Sequence, residues 1–181
     1  MGTNANVITI KPQGIFTADV ATALPTITGT KGSAITMTGW DDLGFVDAEG
    51  SVSITFGKTV RLVRPMGFEG PLKGIVTEKS AMIEFNGLEE TVEALELALG
   101  FGTLASNEIP DGGTGELGYK AVAFVTDNIV YHFKKMSSAE DVNKVVDDAE
   151  EAKMPFKLGA FVEEAATAGE RMWNILERTA A

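Results

Sequence analysis

The chain has 181 residues, no cysteine, one histidine, and 26 acidic against 15 basic side chains, for a formal charge of −11. Without cysteine there is no disulfide scaffold, thiol nucleophile or thiolate-ligated metal, and one histidine cannot build a two-histidine metal centre. The carboxylate excess excludes proteins that grip nucleic acid through a basic footprint, and no apolar stretch approaches the ~20 residues of a membrane span.

Met1–Lys11 lacks the basic-then-apolar arrangement of a secretory leader. With 44% hydrophobic residues the chain is too apolar to be disordered. A soluble acidic protein made in a reducing cytosol is therefore expected, with no metal and no cofactor. Residues 1–39 read as an extended N-terminal arm. Val7–Ile10 and Ala34–Thr38 are strand fragments, separated by frequent punctuation at Pro12, Gly14, Pro25, Gly29 and Gly32. After the turn composition Asp47-Ala48-Glu49-Gly50, Ser51–Phe56 alternates strictly, with Val52, Ile54 and Phe56 on one face and Ser51, Ser53 and Thr55 on the other. Thr59–Arg64 continues as strand, and residues 64–74 form a long loop. Ile75–Phe85 is the next strand, with Ala81, Ile83 and Phe85 opposed to Glu78, Ser80, Met82 and Glu84.

A helix is expected over about residues 87–99. Asn86 stands at the N-cap with Glu89 three residues on, a capping-box spacing, and Gly100 closes the C-terminus. Leu88, Val92, Leu95 and Leu99 follow helical spacing and make its packing stripe, opposite Glu89, Glu93 and Glu96. A Gly-rich loop occupies residues 101–118. Tyr119–Val125 and Ile129–Met136 are strands of a hairpin turning at Asp127-Asn128. Glu150–Val162 is a further strand, with Met154, Phe156, Leu158, Ala160 and Val162 on one face. Pro155 argues for an edge or bulge there. In the C-terminal tail, residues 163–181, Arg171–Arg178 fits strand or helix. The pattern is one mainly β (α+β) domain with a single packed helix and neither repeat nor linker.

Catalytic constellations are missing. His132 lies mid-strand in Val130-Tyr131-His132-Phe133, with no Gly-x-Ser-x-Gly elbow anywhere, and reads as a half-exposed strand residue. Gly29-Thr30-Lys31-Gly32-Ser33 lacks phosphate-loop spacing, and the glycines of Gly112–Gly118 precede a strand and include no lysine. Asp41-Asp42, Asp147-Asp148 and Glu150-Glu151 lack calcium-loop spacing and read as solvated surface. Trp40 and Trp173 fit a core or an interface equally well.

From Trp40 onward the ordered features resemble the tail tube (major tail) protein family of tailed bacteriophages. They are Trp40-Asp41-Asp42-Leu43-Gly44, Asp47-Ala48-Glu49-Gly50-Ser51-Val52, the loop near Gly67–Lys73, and Val76-Thr77-Glu78. Ile83-Glu84-Phe85 then leads into Leu88-Glu89-Glu90-Thr91 and Leu97-Ala98-Leu99-Gly100. The match is close over roughly residues 40–100. The closing segment Met154–Leu158 to Arg171-Met172-Trp173 is similar in kind.

The resemblance implies a structural protein with no enzymatic activity: hexameric rings stacked into a hollow tube, an inner β-barrel built from strands of every subunit, a helix outside, and double-stranded DNA passing through the bore. It also implies a virion location, synthesis in the host bacterial cytoplasm, tape-measure and tail-terminator or tip proteins as partners, and no membrane. Four strands per subunit would give about 24 per ring. At ~4.8 Å spacing and ~40° tilt the barrel would be about 48 Å across, wider than a duplex. A ring would carry about −66 formal charges, which disfavours phosphate adhesion. On this reading Ser53, Thr55, Glu78, Ser80 and Glu84 are candidates for the bore. Arg64, Met66, Phe68, Glu69, Pro71 and Lys73 are candidates for contact between rings, since exposed apolar loop residues seek partners. Two other readings are a tube protein of a secretion or contractile injection system and a soluble β-sandwich binding module.

Overall fold

The structure is a computed structural model. It describes residues 12–20, 22–24, 37–44, 46, 52–64, 66–67, 69–88, 91–100, 117–139, 153–164 and 172–178. In chain order its elements are β1 (Pro12–Asp19), β2 (Asp41–Asp42), β3 (Ser53–Val63), β4 (Lys73–Gly87), α1 (Val92–Leu99), β5 (Lys120–Thr126), β6 (Ile129–Ser138), β7 (Met154–Ala160) and β8 (Trp173–Glu177). The fold is mainly β: every strand belongs to one antiparallel sheet in the order β2-β1-β5-β6-β7-β4-β3, with β8 added beside β6.

The sheet bends around a common core. Ile15 of β1, Val122 and Phe124 of β5, and Phe133 of β6 share one buried cluster with Ile83 and Phe85 of β4 and Phe156 and Leu158 of β7. Strands this far apart in the sheet meet only because twisted sheets curl. Phe85 and Phe156 stand opposite in register and stack with centroids 4.5 Å apart, a cross-strand aromatic pair. Ala121–Val125 is an unbroken apolar run because β5 is covered on both faces. Its alternate residues Ala121, Ala123 and Val125 enter a second cluster with Ala18, Met37 and Trp40.

The hairpin from β5 to β6 turns at Asp127-Asn128 as expected, fastened by the Thr126 hydroxyl. Its Oγ1 donates to the Ile129 carbonyl at 2.8 Å and accepts from the Ile129 amide at 2.9 Å. The buried Arg178 guanidinium donates to the Thr126 and Asp127 carbonyls at 3.2 Å each, pinning the end of β8 over the same turn. The ambiguous C-terminal segment is thus strand. Pro155 faces Asn86 of β4, while β6 pairs only with residues 158–160 of β7. The proline therefore occupies a stretch with one strand neighbour, where its missing N–H leaves no ladder bond unmade.

Several expectations need correction. Part of the supposed N-terminal arm is an integral strand: β1 pairs with β5 along its length, and Ile15 is fully buried. Val7–Ile10 and Ala34–Thr36 lie outside the described residues. Met37 and Thr38 belong to a turn, in which the Trp40 amide donates to the Met37 carbonyl at 3.1 Å and Gly39 adopts φ +79°. Thr59–Val63 does continue Ser53–Phe56 as expected, through Gly57-Lys58 in one strand, β3. β7 begins at Met154, and Val162 lies beyond its end, 47% exposed.

The helix begins at Val92. Asn86 and Gly87 are the last residues of β4, paired with Pro155 and Met154, so they cannot also start a helix. The cap is Thr91, whose Oγ1 accepts from the Ala94 amide at 3.1 Å. Ala94, Leu97 and Ala98 are the buried face and rest on β6 and β7. Of the expected stripe, Leu95 and Leu99 are half-buried, Leu88 precedes the helix, and the Val92 side chain lies outside the described set, as does Glu89. Gly100 closes the helix as expected, at φ +66° with its amide donating to the Glu96 carbonyl at 3.0 Å.

Thr91→Ala should therefore destabilise the unassembled subunit by about 1 kcal/mol, the usual worth of an N-cap hydroxyl. Asn86→Ala should leave helix capping untouched. Urea unfolding midpoints of the two variants check this.

Candidate assembly surfaces

β3 and β4 form one long hairpin whose two halves differ. Near the body, Ala81, Ile83, Phe85 and Gly87 of β4 are buried. Every described residue of β3 and β4 from Lys58 to Ser80 is exposed, about 20 Å of ribbon at strand rise. Phe56 anchors the root: its ring lies 5.2 Å from that of Trp173 and 6.3 Å from that of Phe133. The Leu72 amide donates to the Val63 carbonyl at 3.1 Å and closes the tip. β3 ends the sheet, so its outer edge has no strand beside it among the described residues.

Register determines what each face presents. Ser53 stands opposite Glu84, Thr55 opposite Met82, Gly57 opposite Ser80 and Thr59 opposite Glu78. Opposed residues point to the same side. All five bore candidates, Ser53, Thr55, Glu78, Ser80 and Glu84, therefore share one face of one hairpin. Glu84 is half-buried and the other four are exposed. The Thr59 hydroxyl donates to Glu78 Oε2 at 3.2 Å. Farther out the same face carries Arg61 opposite Ile75 and Val63 opposite Lys73. Its two carboxylates near the body are thus balanced by two cations near the tip.

The opposite face is apolar except for the opposed pair Lys58 and Lys79. It continues the core side through Ile54 and Phe56 to Val60 and Leu62. Strict alternation would put Val76 on the side of Glu78. A β-bulge at Thr77 prevents this: Thr59 pairs with Glu78, but the next residue, Val60, pairs with Val76. The extra residue reverses the parity of the outer part of β4, and the Thr77 hydroxyl donates to the Thr59 carbonyl at 3.2 Å. Sequence reading missed this bulge, since nothing local in Val76-Thr77-Glu78 marks it.

At the tip, Met66 is completely exposed, and Arg64, Glu69, Pro71 and Lys73 are exposed with it. Phe68 lies outside the described residues, as do residues 101–116 of the Gly-rich loop and the pairs Asp147-Asp148 and Glu150-Glu151. Among the described residues no three His, Asp or Glu side chains converge on a common point for a metal ion, and no helix is long and apolar enough to cross a membrane.

His132 is buried, not half-exposed as expected, because segment 37–40 folds over β6 and brings Trp40 edge-on at 5.5 Å. Trp40 is a core residue, held by its indole N–H to the Ala23 carbonyl at 3.3 Å. Trp173 is half-buried beside Phe56. Burial, with a smaller contribution from the Lys134 charge, lowers the His132 pKa to about 4. A ring at the bottom of a core is a packing element. Its folded pKa lies below the unfolded value of 6.5, so the unfolded state binds the extra proton. The stabilisation is complete above pH 6.5 and is lost progressively as the pH falls to about 4. His132→Phe should abolish that part of the acid sensitivity. The difference between wild-type and variant urea midpoints should shrink or reverse between pH 7 and pH 4, since titration of shared carboxylates cancels in the comparison.

Against known proteins, a family model described as phage tail tube protein matches residues 1–164. No curated protein matches.

Proposed function

The chain belongs to the phage tail tube protein family, and from that premise we propose that its β3–β4 hairpin builds the tube. As a family member it is a structural subunit of a phage tail tube, a component of the virion tail. The observation that carries the finer reading is the outer half of the hairpin. A two-stranded ribbon is at best marginally stable alone, and this one leaves Val60, Leu62, Val76 and Met66 in water in the single subunit. Neighbouring copies are the natural cover.

In this reading six subunits close into a ring, the open β3 edge is covered by the adjacent subunit, and the rings stack. Ring closure removes the exposed edges that a lone sheet must otherwise protect. The face of Ser53, Thr55, Glu78, Ser80 and Glu84 lines the bore. Short polar side chains and carboxylates offer phosphates no cationic hold, so double-stranded DNA passes without adhering. The tip, with Arg64, Met66, Phe68, Glu69, Pro71 and Lys73, docks on the next ring. Tape-measure and tail-terminator or tip proteins meet the tube within it and at its ends. The chain acts through assembly and not through catalysis.

Purified protein at high concentration should show rings or tubes by negative-stain microscopy. Deleting Gly67–Gly70 should leave a folded subunit that stacks poorly, and normal tubes from this variant would count against the docking role. The bore is testable because the chain has no native cysteine. Glu78→Cys and Glu84→Cys tubes should react with a small maleimide but resist a polymer-conjugated one too bulky for the channel. Free subunits should react with both. Equal reactivity in tubes would put these positions on the outside.

A further inference from the structure

Lys58 and Lys79 stand directly opposite each other on the apolar face of the hairpin. Phe56 and Ala81 flank them on the body side, Val60 and Val76 on the tip side. Both lysines are exposed, and among the described residues neither has an ion-pair partner. Like charges facing across a strand pair repel. In the free subunit water screens that repulsion. Once the flanking apolar residues are covered, two unneutralised ammonium groups in the seam would be strongly unfavourable. Whatever covers the stripe must therefore bring carboxylates or other anions with it.

We infer that Lys58 and Lys79 form a receptor for carboxylates of a second copy of this chain, an ionic latch set within the apolar seam between subunits. The inference rests on the assembly reading above and adds the chemistry of the contact. Charge distribution supports a second copy as the occupant. Residues 58–79 contain Lys58, Arg61, Arg64, Lys73 and Lys79 against Glu69 and Glu78, a net charge of +3. The total is −11, so the rest of the chain carries −14. The hairpin is the cationic part of an acidic molecule, and another copy is a ready source of opposing carboxylates. Phosphates of DNA could neutralise the lysines but would leave Phe56, Val60 and Val76 uncovered; a protein surface does both. Opposed charge at the two sides of a head-to-tail contact also favours that contact over like-with-like pairing of hairpins.

The test compares wild type with K58Q/K79Q and K58R/K79R, each first shown by circular dichroism and urea unfolding to fold as a free subunit. Assembly is followed by light scattering against protein concentration at low and high salt. The double glutamine variant should need roughly tenfold more protein to assemble, the arginine variant should stay near wild type, and added salt should weaken wild type more than the glutamine variant. Carbodiimide coupling of mixed isotope-labelled subunits should yield cross-links from Lys58 or Lys79 to an Asp or Glu of a different copy, which identifies the acceptor. Four results would overturn the inference while leaving the tube reading intact. They are unchanged assembly of K58Q/K79Q; assembly at lower concentration, as expected if the lysines only shield an edge; cross-links confined to single copies; and intact assembly with reduced duplex-DNA binding. Wild type that forms neither rings nor tubes at any concentration would overturn the tube reading, and this inference with it.

Discussion

The structure depends on a hairpin that outgrows its own core. β4 has 15 residues, but only Ala81–Gly87 lies against the body. The remaining ribbon is ordered from its root. Phe56 rests beside Phe133 and Trp173, and the inner part of β4 is held between β3 and β7. A ribbon so anchored keeps its register without burying its outer side chains. Its exposed valines, leucines and methionine contribute little to the stability of the subunit. They become energetically useful when another surface removes them from water. The subunit can therefore fold first and keep most of the hairpin's apolar area for association.

The parts legible in the sequence are those whose cause is local. Alternation, strict in Ser53–Phe56 and looser in Ala81–Phe85, reports one buried face, and the structure pairs Ser53–Phe56 with Ala81–Glu84 residue by residue. Asp127-Asn128 and Gly100 are turn and cap chemistry readable from two or three residues. The illegible parts have distant causes. Asn86 and Glu89 satisfy a capping-box spacing, but Asn86 is already committed to β4 by its pairing with Pro155, some 70 residues away in sequence. β1 carries no clean alternation, because its two faces enter different clusters, Ile15 in one and Ala18 in the other. The Thr77 bulge depends on which residue of β3 faces which residue of β4. The five polar residues singled out as candidates for the bore fell together on one hairpin face because they lie on the body side of that bulge, where alternation still holds.

The total charge also hides an uneven distribution. A net −11 describes an acidic molecule, yet the outer hairpin is cationic. On its polar face the carboxylates of Glu84 and Glu78 lie toward the body, and the cations of Arg61 and Lys73 toward the tip. A conduit for a polyanion works best where cations are neutralised by neighbouring protein and carboxylates face the channel. In the proposed tube the hairpin tips meet the acidic remainder of adjacent copies, so one arrangement would meet both requirements.

The buried polar groups fit the same division. Thr126 across its turn and Arg178 over the Thr126 and Asp127 carbonyls fasten strand ends together by hydrogen bonds, while His132 packs against the Trp40 ring. They lie in the body, where hydrogen bonds withheld from water add rigidity and specify a single packing. The described cations and anions of the hairpin lie outside it, where side chains can change without opening the core. In the proposed tube folding and association would draw on largely separate residues, apart from Phe56 and Trp173, where the ribbon joins the core. A perturbation at that junction reaches both processes. In the proposed tube one beyond Lys58 would reach association alone, because the described hairpin residues past that point are exposed.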